Sequence, residues 1–132
     1  MAEFLHHTIA PVYDARSRVL ILGSFPSVKS REAAFFYGHP QNRFWRVLSA
    51  LTGAPVPQSI PEKQALLLNH GIALWDTIAS CEITGSSDSS IRNVTPNDLT
   101  PILQTAKIRK IYCNGTASWR LYQKYLLPQT KL

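Results

Sequence analysis

Arg18-Val19-Leu20-Ile21-Leu22-Gly23-Ser24-Phe25-Pro26-Ser27 is an apolar run that ends abruptly in a small, polar, turn-prone segment. A short continuous apolar run reads as a strand buried on both faces, the pattern of a parallel sheet. Arg18 to Leu22 is therefore predicted to be a strand, closed by Gly23. Gly and Pro in the following loop let the backbone bend close to a ligand and turn N–H groups toward an anion or a carbonyl. The loop lacks the Gly-Lys-Ser/Thr ending of a phosphate-binding Walker loop. Taken alone, it reads equally well as an ordinary strand-to-loop turn.

The same pattern recurs twice downstream. Ile72 to Trp75 is a second buried strand, followed by Asp76, and Ile108 to Cys113 is a third, followed by the turn Asn114-Gly115. Helices are predicted between them. In Asn42 to Gly53, the residues Phe44, Val47, Leu48 and Leu51 form one apolar face, and Gly53 stops the helix. Ser59 to His70 has Ser59 to cap it, Pro61 in its first turn and Gly71 at its end. Thr95-Pro96-Asn97-Asp98 resembles a capping box ahead of Leu99, Ile102, Leu103 and Ala106, and Thr116 to Leu126 forms a last helix. Thr84 to Asn93 reads as a loop. Alternating strands and helices predict a single α/β domain over residues 1–132 built on an open parallel sheet. Ligands bind such sheets beyond the carboxyl ends of the strands. The polar clusters after Leu22, Trp75 and Cys113 all fall there, which predicts one common site.

Gly38-His39-Pro40-Gln41-Asn42-Arg43-Phe44-Trp45 packs His, Gln, Asn, Arg and two aromatics together just ahead of a helix. A soluble core has no use for that density of hydrogen-bonding groups, whereas a pocket for a flat polar ligand such as a nucleobase does. Asn42 is either a helix N-cap or a group that holds water by its carbonyl oxygen. Phe35, Phe36 and Tyr37 cannot all face one core from a loop, so one of them is expected to form a stacking wall. His39 is a general acid or base without a neighbouring carboxylate in sequence. Asp76 either orients a ligand or caps its loop, and Asn114 is either a ligand contact or a turn residue. His6, His7, His39 and His70 show no metal-ligand spacing, so neither a metal nor another cofactor is expected.

The net charge of +6 is unevenly spread. Lys107, Arg109, Lys110, Arg120, Lys124 and Lys131 stand in the last quarter of the chain without a single acidic residue, while charges cancel before it. That end reads either as solvated surface or as a phosphate-facing patch. No apolar run reaches the length of a membrane span. The first ten residues lack Arg and Lys and do not read as a secretory signal. Cys81 and Cys113 are far apart and read as reduced thiols, so a cytoplasmic location is expected.

Leu-Gly-Ser-Phe-Pro-Ser from Leu22, Gly-His-Pro-Gln-Asn-Arg-Phe-Trp from Gly38, Ala-Leu-Trp-Asp from Ala73 and Cys-Asn-Gly-Thr-Ala from Cys113 together resemble the hypoxanthine-DNA glycosylase branch of the uracil-DNA glycosylase superfamily. The Asn-Arg-Phe-Trp segment is also similar, more distantly, to mismatch-specific uracil-DNA glycosylases. The resemblance implies a three-layer α/β/α sandwich around a short parallel sheet, and hydrolysis of the N-glycosidic bond of hypoxanthine, with uracil as a further substrate, in DNA. It implies that Asn42 is the catalytic, water-positioning residue, because Phe25 occupies the place where many superfamily members carry Asp or Asn. Base contacts are expected at Gly23, Ser24, Phe25, Phe36, Tyr37, His39, Asp76 and Asn114. Phosphate contacts are expected at Ser27, Lys29, Arg109 and Lys110. The family's second motif, a Leu-Pro-Ser-Thr-Ser-Pro-like loop after a fourth strand, has no counterpart before Leu132. The expectation is a C-terminally truncated domain that lacks the fourth strand, and whose third strand is an exposed edge open to self-association. The alternative is a catalytically impaired relic that still binds nucleic acid or a nucleobase.

Overall fold

Every strand foreseen from an unbroken apolar run forms. The computed structural model describes residues 3–26, 28–33, 35–38 and 43–130. In chain order the elements are β1 (Glu3–His6), β2 (Val19–Gly23), α1 (Val28–Ala33), α2 (Phe44–Thr52), α3 (Ile60–Asn69), β3 (Ile72–Asp76), β4 (Ile78–Ile83), β5 (Arg92–Pro96), α4 (Thr100–Thr105), β6 (Lys110–Cys113), α5 (Thr116–Leu121) and α6 (Leu127–Thr130). A π-helical turn, Tyr122–Leu126, joins α5 to α6, so the last helical run extends past the predicted Leu126.

β2 lies between β3 and β6 and is parallel to both. Its register sets Val19 beside Ile72 and Lys110, and Leu22 beside Trp75 and Cys113. Side chains alternate across a strand, so β2 feeds two cores. Leu20 and Leu22 join Ala73, Leu99, Ile102, Tyr122 and Leu126 on one face. On the other, Ile21 packs against Leu74, Trp45, Leu48, Leu66, Leu67, Phe35 and Phe36. Helices α2 and α3 cover one side and α4 with the last helix the other, which makes the α/β/α sandwich. Among the described residues no strand pairs with the second edge of β6.

A second sheet was not foreseen. β4 follows β3 after Thr77 alone and pairs antiparallel with β1 and β5. Phe25, Ile78, Cys81 and Ile83 form its core, with Leu5, Ile91, Val94 and Leu121 packed around them. Asn97 holds the junction between the sheets: its Nδ2 donates to the carbonyls of Asp76 at 2.9 Å and Ile78 at 3.1 Å.

Local signals decide the helix ends. The Ser59 hydroxyl accepts the Glu62 N–H at 3.2 Å and caps α3. Gly53 ends α2 at φ 74°, a conformation that suits glycine. The predicted capping box at Thr95 is not one, since Thr95 and Pro96 belong to β5. Asp98 instead accepts the Thr100 N–H at 3.0 Å in a local turn. That bond, with the Thr100 side chain the larger cause, holds the Asp98 carboxyl below the usual range.

Candidate active site

A cavity of about 200 Å³ opens at the carboxyl ends of β2 and β3. Drug-sized ligands occupy roughly 300–1,000 Å³, so this one suits a single small ring system. Gly23, Ser24, Phe25 and Pro26 come to it from the end of β2, Ser30 from α1, Phe36 and Tyr37 from the turn after α1, Asp76 from the end of β3, Ser86 from the loop after β4, and Asn114 from the end of β6. Seven residues expected at a base pocket thus share one cavity: Gly23, Ser24, Phe25, Phe36, Tyr37, Asp76 and Asn114.

Strand ends fix these positions. The Asn114 N–H donates to the Leu22 carbonyl at 2.7 Å, and the Thr77 N–H and hydroxyl donate to the Gly23 carbonyl at 2.8 and 2.9 Å. Gly23 must be small, because a Cβ there would collide with Asp76 Oδ1 and crowd the Tyr37 hydroxyl at 3.1 Å. Those two polar atoms therefore converge over the Gly23 Cα.

Tyr37 sits at φ 53°, in the left-handed region that a bulky residue enters only where its surroundings hold it. Its ring stacks on Phe44 with centroids 4.0 Å apart, and its hydroxyl oxygen accepts from Asn114 Nδ2 at 2.9 Å. The Ser30 hydroxyl accepts the Gly38 N–H at 3.0 Å and anchors the same turn. Burial, and second the charge of Asp76, raise the Tyr37 phenol well above its ordinary value, against the lowering effect of Asn114. The phenol therefore stays protonated and keeps a hydrogen to donate.

Asp76 is 4% exposed. Its Oδ2 lies 2.8 Å from Nε2 of His7, whose side chain is 3% exposed. When the carboxyl is ionised it only accepts, and the ring nitrogen then donates. Edge and tilted contacts from Phe25, Phe36 and Trp75 surround the His7 ring at 6.0, 6.1 and 6.2 Å. His7 carried no local signal, being 69 residues from its partner. Arg31 was also missed: its guanidinium lies 5.8 Å over the Phe25 ring and donates to the Gly85 carbonyl at 2.9 Å, tying α1 to the loop that carries Ser86.

Other expected residues fall elsewhere. Phe35 turns into the core and stacks on Trp45 at 6.0 Å. Arg109 and Lys110 are not brought to the cavity. Lys110 opens β6 beside Val19 and Arg109 donates its N–H to the Arg18 carbonyl at 2.7 Å, both at the amino end of parallel strands whose carboxyl ends bear the cavity. Asn42, His39, Ser27 and the side chain of Lys29 lie outside the described residues. Among the described residues, no three His, Cys, Asp or Glu gather as a metal site, and no helix is long and apolar enough to cross a membrane.

The sequence profile of the Uracil DNA glycosylase superfamily matches residues 10–131. The chain is 36% identical to a protein named hypoxanthine DNA glycosylase from Methanosarcina acetivorans over 106 residues, 79% of this chain and 67% of that one. It is 33% identical to another of that name from Methanosarcina barkeri over 111 residues, 82% of this chain and 70% of the other. The solution NMR structure of a Methanosarcina acetivorans protein described as a uracil DNA glycosylase superposes with a TM-score of 0.82 at 30% identity, over 99% of this chain and 80% of that one.

Proposed function

The chain belongs to the uracil DNA glycosylase superfamily, and from that premise we propose that it is a DNA glycosylase that hydrolyses the N-glycosidic bond of hypoxanthine, and also uracil, in DNA. The observation that carries this reading is the single cavity in which Asp76, Tyr37 and Asn114 meet beyond the carboxyl ends of the sheet. Enzymes that act on a base extrude it from the duplex into such a pocket. Phe25, Phe36 and Tyr37 supply aromatic surface for its faces.

The chemistry asks little of a strong base. As the glycosidic bond breaks, the sugar becomes cationic and the base leaves with negative charge, so donors aimed at that charge lower the barrier. The protonated Tyr37 hydroxyl, held by Asn114, is one such donor. Asn42 positions the attacking water in this proposal, on the strength of its place in His-Pro-Gln-Asn-Arg-Phe-Trp. Arg120, which lines a shallow surface with Ser89, Thr116 and Ala117, is the phosphate contact of this proposal. A cytoplasmic location belongs to the same proposal, supported by two cysteines that form no disulfide. Self-association through the second edge of β6 is proposed as well, next to an apolar groove lined by Ile21, Phe44, Val47, Leu51 and Tyr112.

Incubation with an inosine-containing duplex oligonucleotide tests the activity. Abasic sites are expected, and Asn42→Ala should lower their rate by about 10². No release above buffer would overturn the enzymatic reading, and undiminished release by the variant would overturn the role of Asn42.

A further inference from the structure

We infer that His7 is a positioning residue for substrate selection: its ring N–H holds the Asp76 carboxylate as a fixed acceptor, and that acceptor beside the Tyr37 hydroxyl makes the pocket prefer lactam bases to amino-bearing ones. The inference rests on the base-excision reading of the cavity and names what distinguishes its substrates.

The chemistry follows from the groups present. Hypoxanthine carries an N–H next to a C=O on its ring edge, and uracil carries the same pair. Adenine, nearly the same shape as hypoxanthine, carries the inverse, a ring nitrogen acceptor next to an amino donor. An acceptor and a donor side by side therefore match the deaminated bases and leave two mismatched pairs against adenine. Asp76 Oδ1 and the Tyr37 oxygen converge over Gly23 and supply that pair. Asn114 donates to the Tyr37 oxygen, which directs the phenolic hydrogen elsewhere. The Tyr37 hydrogen bond to the base carbonyl also serves the charge of the leaving base, whereas the Asp76 acceptor bears on the choice of base.

A carboxylate reads this edge reliably only if it stays ionised and keeps one orientation. Asp76 is 4% exposed, and burying a carboxylate is costly unless it is hydrogen-bonded. His7 offsets that cost with a charge-assisted hydrogen bond of 2.8 Å to Oδ2. It enters from the segment after β1, pinned where its own N–H donates to the Ala79 carbonyl at 2.6 Å. His7 also precedes residue 10, where the match to the superfamily begins. The residue that holds Asp76 therefore comes from outside the matched region.

Free hypoxanthine and free adenine, titrated by NMR against the wild type, His7→Ala, His7→Gln and Asp76→Asn, test it. The readout is the ratio of the two affinities, which a merely structural lesion leaves unchanged because it weakens both ligands together. The wild type should prefer hypoxanthine by about tenfold or more, the scale of a mismatched hydrogen-bonding pair. His7→Ala should bring the ratio toward unity, and His7→Gln, whose amide N–H can reach the carboxylate, should recover it. In Asp76→Asn, His7 donates to the amide oxygen and the NH₂ faces the base, so the ratio should move toward adenine. A wild type that binds both bases alike overturns the inference, as does a folded His7→Ala with the wild-type ratio. Should His7→Ala not fold, an unchanged ratio in the isosteric Asp76→Asn overturns it equally. Inosine excision is measured in parallel. Discrimination without excision removes the enzymatic reading and leaves the role of His7, and excision without discrimination does the reverse.

Discussion

The amide of Asn114, at the end of β6, donates to the phenolic oxygen of Tyr37, in the turn after α1, across 2.9 Å and 77 residues of sequence. This bond joins the two sides of the cavity. It ties the left-handed turn at Tyr37 to the parallel sheet, so the position of the hydroxyl is set by the strand and not by the turn alone.

Alkaline titration should expose the burial of that phenol. The Tyr37 phenol is raised in the folded state above its ordinary value of 10.0. The stability it contributes is fully present below the unfolded value and is lost as pH rises above it. The slope reaches at most about 1.4 kcal/mol per pH unit for one proton. Tyr37→Phe should show a shallower loss of stability above about pH 10 than the wild type. Equal slopes in denaturant melts at several alkaline pH values would remove the buried phenol as the cause.

Gly23→Ala places a methyl against Asp76 Oδ1 and the Tyr37 hydroxyl. Displacing either group by about an ångström should lower base excision by about 10². Stability should change far less, because the Asp76 side chain can swing away. The check is a rate measurement beside a thermal melt, and a fully active variant would show that these two groups are not at the reacting base.

Asn97→Ala removes the amide that serves the carbonyls of Asp76 and Ile78 at the joint between the sheets. With Asn97 only 6% exposed, two acceptors lose their donor away from water. The expected cost is roughly 1–3 kcal/mol in urea unfolding. A change within experimental error would mean that the strands are aligned by their ladders alone.

Neutralising Arg109 and Lys110 should leave the salt dependence of DNA binding unchanged, since both stand at the amino end of the sheet. Neutralising Arg120 should lower the slope of log K against log salt by about 1. The reverse pattern in salt titrations would move the DNA to the opposite end of the strands.

Sedimentation should detect association through the second edge of β6. Leu51 and Tyr112 beside it are 78% and 51% exposed, and Leu51→Glu with Tyr112→Lys should shift any oligomer toward monomer. A wild type that stays monomeric at all concentrations would exclude this contact.

What was legible in the sequence follows from burial. β2 and β3 are covered on both faces and so read as unbroken apolar runs, and α3 announced its start with Ser59 and Pro61. The second sheet gave no such signal. β1 has only Leu5 half-buried, and β4 mixes Ser80 and Glu82 with its apolar residues. β5 contains Pro96 and a left-handed Asn93 and pairs with β4 through register shifts. The cavity residues after β2, β3 and β6 were legible because each follows a strand that points the same way. The same rule places Arg109 and Lys110 away from them, since charge composition carries no strand direction. The bond between His7 and Asp76 is tertiary, and nothing in the spacing of either residue signals it.

The central strand of the parallel sheet is made before either of its neighbours. During synthesis β2 leaves the ribosome with both edges bare, gains β3 only after α2 and α3 have been made, and waits for β6 until β4, β5 and α4 have followed. Pairings so distant in sequence are slow to close. The cavity takes Tyr37 from before these partners and Asn114 from after them, so its walls complete only once β6 has been made. A nascent chain is thus unable to grip a base until β6 has joined the sheet.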